Sequence, residues 1–339
     1  MADAENATKA PESDAQEQQT PRPIIPGDTP AQTGPTMGEH CVTDRPTREL
    51  PWSAVGLKGI LPLTNTTAAG QSSTGEIIKL NDIDVYISKP VDYPHTPSKL
   101  LLLLTGGTGI KSTNNQIQAD KFASEGFLVL MPDILGGDTS PISTAITDDS
   151  SSVLEQVKLK AVEVTKSFMI DMWLARITPD KVMPILHKVI EAAHEQYAEV
   201  VKHGDGIYAV GYCVGGRFVL LLAQESEGAD AQQAEQAAAK KGPYIRAGAI
   251  AHGASIAPSD FSNLKAPLSL VCIEDDPLFP DEVRKAGEDA LTKADLEHEV
   301  QIYPGAPHGF AVVGAYADSS IADAQSTAYE QMLRWIKDH

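Results

Sequence analysis

The sequence is poor in cysteine: three in 339 residues. Cys41, Cys213 and Cys272 are odd in number, widely spaced and form no CxxC pair. That pattern supports neither a disulfide framework nor a zinc site, and it fits a reducing, cytoplasmic setting. Basic residues are also scarce. Lysine and arginine total 27 against 46 aspartates and glutamates, a net charge of −19. No cationic surplus exists to neutralise phosphates, so a nucleic-acid partner is not expected. The acidity argues for solubility instead. No apolar run approaches the roughly 20 residues of a membrane span. The amino-terminal MADAENATKA lacks the apolar core of a secretory signal. No His, Cys and carboxylate cluster has metal-ligand spacing. Gly106–Gly109 is not followed by the Lys-Ser/Thr pair of a phosphate loop. Neither a metal nor a cofactor is therefore expected.

Aromatic residues are missing from the first 50 positions; the first is Trp52. Residues 1–50 repeat Pro, Gln, Thr, Ala and Glu. Such a segment buries too little to offset the entropy of ordering, and it is expected to be a disordered tail. Residues 51–74 read as a transition, and residues 75–339 as one domain. Within it, Glu76–Leu80 and Ile83–Ser88 flank Asn81-Asp82 as a hairpin. Lys99–Thr105 (KLLLLLT) and Phe127–Met131 are continuous apolar runs, the mark of strands buried on both faces. Between them Ser112 can cap a helix over about 113–125. Strand, helix and strand in this order make a βαβ unit and a mostly parallel sheet.

Residues 139–177 are expected to leave the sheet as an excursion that includes a helix over Val153–Ile177. Thr178-Pro179 opens a helix bearing Val182, Leu186, Val189 and Ile190 at helical spacing; Pro184 inside it could shift the true start. Residues 225–242 lack an apolar face and read as a surface insertion. Ile207–Val210, Arg246–Ala251, Leu268–Ile273 and Glu299–Tyr303 read as strands. Pro280–Ala294 and 321–337 read as helices.

The candidate chemistry gathers at the ends of the later strands. Gly211-Tyr212-Cys213-Val214-Gly215-Gly216 has the G-x-nucleophile-x-G form of a sharp strand-to-helix turn, with cysteine as nucleophile. Glycines two residues before and after remove Cβ atoms that would collide there. The following helix turns its free N–H groups toward the sulfur, favouring thiolate. A later strand ends at Glu274-Asp275-Asp276, and the last leads to Pro307-His308-Gly309. Nucleophile, acid, histidine is the α/β-hydrolase order. Cys213 would attack an acyl carbon, His308 would move the proton, and Asp276 would orient His308, with Asp275 and Glu274 as alternatives. The N–H groups of Gly107 and Val214 would form an oxyanion hole. His252, also at a strand end, either lines the pocket or serves the structure. Arg217 is expected to pair with an acidic neighbour, and His187, His194 and His203 to be solvated.

These segments resemble the dienelactone hydrolase family, its fungal members most closely. The resemblance rests on GYCVGG at Gly211–Gly216, the Asp276 to Pro280 step, Pro307-His308-Gly309-Phe310, and Asn114–Asp138, and it covers roughly 75–339. It implies an α/β-hydrolase fold, a Cys213-His308-Asp276 triad, oxyanion-hole amides at Gly107 and Val214, no cofactor, and a small-molecule ester or lactone as substrate. Bacterial members carry an arginine shortly after the histidine. Here Phe310–Val313 is apolar, so Val312 is expected to line a pocket for a less charged ester or lactone. The competing expectation is a thiol redox or ligand-binding protein on the same scaffold, with Cys272 as the available second thiol.

Overall fold

A computed structural model describes residues 44–45, 72–141, 169–225 and 243–339. The rest of the expected tail and transition, residues 142–168 of the excursion and residues 226–242 of the insertion lie outside the described residues. Residues 169–174, at the end of the expected excursion helix, are helical.

Eight strands form one sheet in the order β1-β2-β4-β3-β5-β6-β7-β8. They are β1 Glu76–Leu80, β2 Ile83–Ser88, β3 Lys99–Leu104, β4 Phe127–Pro132, β5 Ile207–Tyr212, β6 Ala247–Ala251, β7 Leu268–Ile273 and β8 His298–Tyr303. β1 and β2 pair antiparallel, as does β2 with β4; all other pairs are parallel. The tight β1–β2 turn is possible because Asn81 and Asp82 both take positive φ, which short polar side chains tolerate.

The central strands are apolar on both faces because both are covered. Leu100 to Leu104 are fully buried, and they alternate between two clusters as strand geometry requires. Leu100, Leu102 and Leu104 join one cluster with Leu186 and Val189 of α2 (Pro179–Gln196) and with Phe218 and Leu222 of α4 (Val214–Ala223). Leu101 and Leu103 join another with Phe122 of α1 (Thr113–Ser124) and with Met332 and Ile336 of α6 (Ser319–Asp338). A short α3 (Ala198–His203) leads into β5, and α5 (Asp281–Lys293) joins β7 to β8. This is the α/β-hydrolase arrangement the sequence suggested. Pro184 does not shift the start of α2, which begins at Pro179 and carries Pro184 inside it.

β3 and β5 are neighbours, yet β3 connects outward to β4 while β5 connects the other way to β6. The crevice where connections part is where an open α/β sheet places functional groups. The register sharpens this. Leu104 pairs with Gly211, Tyr212 with Ala251, and Ala251 with Val271. Just past these pairs, Gly106, Cys213, His252 and Cys272 therefore stand abreast at the sheet's carboxyl end.

The turn at β5 leaves no room for side chains. A Cβ on Gly211 would lie 2.6 Å from the Gly215 carbonyl oxygen and 2.7 Å from Val219 Cγ2. Gly211→Ala is expected to destabilise the protein by about 1–3 kcal/mol, the usual cost of overpacking, and to lower Cys213 reactivity with it. An unchanged urea midpoint would contradict this account of the turn.

Candidate active site

Cys213 sits between the end of β5 and the first residue of α4, with φ 53° and ψ −122°. Positive φ is costly for a residue with a Cβ and persists only where surroundings impose it. The surroundings here are explicit. The Cys213 N–H donates to the Ala251 carbonyl at 3.1 Å, and its carbonyl accepts from Gly216 N at 3.0 Å and Ala254 N at 3.1 Å. A Cβ at Gly215 would strike the Leu104 carbonyl, so only glycine lets α4 approach the end of β3. Cys213 is 1% exposed, and its thiol lies at the amino end of α4, where N–H groups lack partners within the helix.

His308 comes from the loop after β8 and Asp276 from the loop after β7; both are buried. His308 Nδ1 lies 2.8 and 3.0 Å from the two Asp276 carboxylate oxygens. The carboxylate also accepts from Leu278 N at 3.0 Å, which fixes its plane. Among the alternatives, Asp275 turns outward with φ 52°, and both it and Glu274 are exposed. Nε2, on the other side of the ring, makes no hydrogen bond of standard geometry but interacts with the Cys213 side chain. Burial alone would keep the ring neutral. The Asp276 carboxylate and then the Cys213 thiolate outweigh burial, and His308 is pushed up to about 10.

His252 is fully buried and packs edge-on against His308, ring centroids 4.9 Å apart. It is tuned the opposite way. Burial, the nearby His308 charge and the Arg45 charge hold it well below the usual histidine range. Its ring nitrogens have no hydrogen-bond partner outside their own residue among the described residues. Two histidines in contact are thus shifted in opposite directions: His308 toward the charged form and His252 toward the neutral ring.

The turn after β3 closes the other side. A Cβ on Gly106 would lie 3.1 Å from Cys213 Cβ, so this turn runs against the cysteine. The Gly107 carbonyl accepts from Ser140 N at 2.9 Å, which holds that peptide. Val214 is the first residue of α4. Val312 is half-buried, and its carbonyl accepts from Arg45 Nη2 at 2.8 Å and Gln325 Nε2 at 2.6 Å. Its side chain packs on the cluster beneath α6, so it is near the site through its loop.

Elsewhere, Arg217 pairs with Asp260 at 2.8 Å, as expected of it. His194 and His203 are exposed. His187 is not solvated as expected: it is half-buried against Tyr244, ring centroids 4.7 Å apart, and burial lowers its pKa. Sequence reasoning missed Asp44 and Arg45, two residues of the expected tail that are anchored beside the site. No local signal marks them; their partners lie 69 and 267 residues away.

Residues 83–339 match the model of the Dienelactone hydrolase family. A hydrolase of Aspergillus violaceofuscus is 27% identical over 265 residues, which cover 78% of this chain and 90% of that protein. A protein named dienlactone hydrolase 1 from Gibberella moniliformis is 26% identical over 264 residues, 78% of this chain and 87% of its own length. Among solved structures, a Klebsiella pneumoniae protein assigned as a dienelactone hydrolase superposes with a TM-score of 0.55 at 14% identity, covering 79% of this chain and 100% of that one. A propionate-bound esterase of Thermogutta terrifontis superposes at 0.52 and 14% identity, covering 78% and 94%. At these identities the superpositions establish the fold.

The His308 pKa has a consequence for stability. The ring takes up its proton in the folded state at higher pH than the usual unfolded value of about 6.5. The His308–Asp276 pair therefore stabilises the fold fully below that value, and the benefit fades as pH rises through about 10. The difference in thermal midpoint between wild type and Asp276→Asn should be largest near pH 6 and shrink through that window. A difference that grows with rising pH would contradict the charge assignment.

Proposed function

The chain belongs to the dienelactone hydrolase family, and from that premise we propose that it cleaves an ester or lactone through a Cys213-His308-Asp276 triad. One observation carries the reading. A buried imidazole is held by a carboxylate at 2.8 Å on one nitrogen and interacts on its other side with the thiol of a strained residue at the amino end of α4.

The Cys213 sulfur, as thiolate, attacks the acyl carbon. A C–S bond forms and the carbonyl electron pair moves to oxygen. The N–H groups of Gly107 and Val214 are the donors for that oxyanion. As the pair returns, the C–O bond to the leaving alcohol breaks, and His308 Nε2 delivers its proton to the departing oxygen. A thioester on Cys213 and an alcohol result; in a lactone the alcohol stays tethered to the acyl group. Water then attacks the thioester while His308 takes its proton. The C–S bond breaks, and acid and thiolate are regenerated. Asp276 keeps the Nδ1–H tautomer and holds the imidazolium without itself taking a proton. Neutral His252 supplies a second ring against His308 without adding a competing positive charge.

The substrate is a small ester or lactone, since the stretch after His308, Phe310–Val313, is apolar and offers no charged side chain to hold a substrate carboxylate. A reducing compartment such as the cytosol would keep the thiol available. The redox alternative has less support. Cys213 and Cys272 are abreast but separated by β6, so their backbones are about 10 Å apart, two strand spacings. A disulfide needs Cα atoms within about 7 Å. Burial also pushes the Cys272 thiol up to about 12, which disfavours the reactive thiolate.

Hydrolysis of p-nitrophenyl acetate and a panel of small lactones tests the reading. Cys213→Ala and His308→Ala should each lower kcat by on the order of 10³-fold or more. Wild-type turnover no higher than that of Cys213→Ala, with Cys213 still alkylating quickly at neutral pH, would favour a thiol-binding or redox role instead.

A further inference from the structure

Asp44 and Arg45 are adjacent, opposite in charge, and reach in different directions. The Asp44 carboxylate accepts from Thr113 N at 2.7 Å and from the Ser112 hydroxyl. Ser112 is the residue that caps α1, and it ends the turn that carries Gly106 and Gly107. A carboxylate at a helix amino end meets both free N–H groups and the positive end of the dipole. Arg45 turns to the other wall of the crevice. Its guanidinium carbon lies 3.8 Å from the centre of the Tyr316 ring, a cation–π contact. Its Nη2 donates to the Val312 carbonyl at 2.8 Å. That loop also carries His308.

The fit on the arginine side is built into the backbone. A Cβ on Gly314 would stand 2.9 Å from both Cβ and Nε of Arg45 and 3.1 Å from its guanidinium carbon. Only glycine at 314 leaves room for the arginine. On the inner side Gln325 of α6 donates to the Phe310 and Val312 carbonyls at 2.9 and 2.6 Å. The Val312 carbonyl is thus gripped from the domain by Gln325 and from outside it by Arg45. Asp44 in turn lines a cleft of about 420 Å³ with Thr108, Lys111, Asp133 and Ser140, directly beside the Gly107 peptide. Both residues precede the stretch that matches the family, residues 83–339.

We propose that Asp44 and Arg45 form a strap that ties the Gly106–Gly107 turn to the loop carrying His308, and that both act as positioning residues for the reaction. The proposal rests on the triad reading for its catalytic part and on geometry alone for its mechanical part. Consecutive Cα atoms are about 3.8 Å apart, so two neighbouring residues cannot hold both walls without fixing their separation. That separation sets the distance between the oxyanion donors and the imidazole on either side of Cys213. The charge of Arg45 is already felt at His252, which touches His308.

The test uses the full chain and four proteins: wild type, Asp44→Ala, Arg45→Ala and Arg45→Lys. Two kinds of measurement are made: steady-state kinetics with p-nitrophenyl acetate, giving kcat and KM, and amide hydrogen exchange in peptides covering 105–113 and 309–317. Each alanine variant should lower kcat by about 10- to 100-fold, the scale of small misplacements in an active site, with a smaller change in KM. Each should also speed exchange in both peptides, including the one its own side chain does not touch, while β4 and β5 remain protected. Arg45→Lys should recover part of kcat, because it keeps a donor and a charge but not the planar stack on Tyr316. Unchanged kcat in Arg45→Ala, or faster exchange confined to the wall next to the substituted residue, would overturn the strap. Failure of the triad reading looks different: Cys213→Ala would then turn over ester like wild type, and the exchange result would still decide whether the two walls are tied.

Discussion

Everything at this site depends on one strained residue. Cys213 holds positive φ because Gly211 and Gly215 let a strand fold back into a helix with no side chain between them. Its backbone is pinned to β6 through Ala251 and to the loop after β6 through Ala254. That conformation does three things at once. It lifts the sulfur off the end of the sheet, places it at the amino end of α4, and brings it beside the turn after β3. A helix started one residue later would separate the thiol from both N–H groups expected to meet an oxyanion.

The charges around the turn follow from burial and order. Asp276 and His308 leave from neighbouring strands, β7 and β8, and meet in a dry interior where a lone charge would be costly. They are tolerated as a pair, which raises the proton affinity of His308. His252 lies on the same row as Cys213 and has no carboxylate to pair with, so the same burial holds it neutral. One environment shifts two histidines in opposite directions, and the difference is the pairing of His308 with Asp276 and Cys213.

Much of this was legible in the sequence. The buried strands announced themselves as apolar runs, and the elbow, the acid and the histidine stood in hydrolase order. The sheet order was not legible, because a run such as Leu100–Leu104 shows that a strand is buried but not which strands flank it. Asp276 could not be separated from Asp275 by composition; the positive φ at Asp275 decides which carboxylate faces inward. His187 was misjudged because a histidine on the polar side of a helix was expected to face solvent, and Tyr244 covers it. Asp44 and Arg45 were invisible for a different reason. Their segment has the composition of a chain that cannot build its own core, and their partners are supplied by α1 and by the loop after His308.

The central claim is that the acyl group passes through sulfur at Cys213. Rapid quenching of the wild-type protein with p-nitrophenyl acetate in acid, followed by peptide mass analysis, tests it directly. The account predicts one acetyl group on the peptide containing Cys213, removed by neutral hydroxylamine as a thioester is, and absent from that peptide in Cys213→Ala when treated the same way. Turnover with no acetyl on that peptide, or with the acetyl group on another residue, would contradict it.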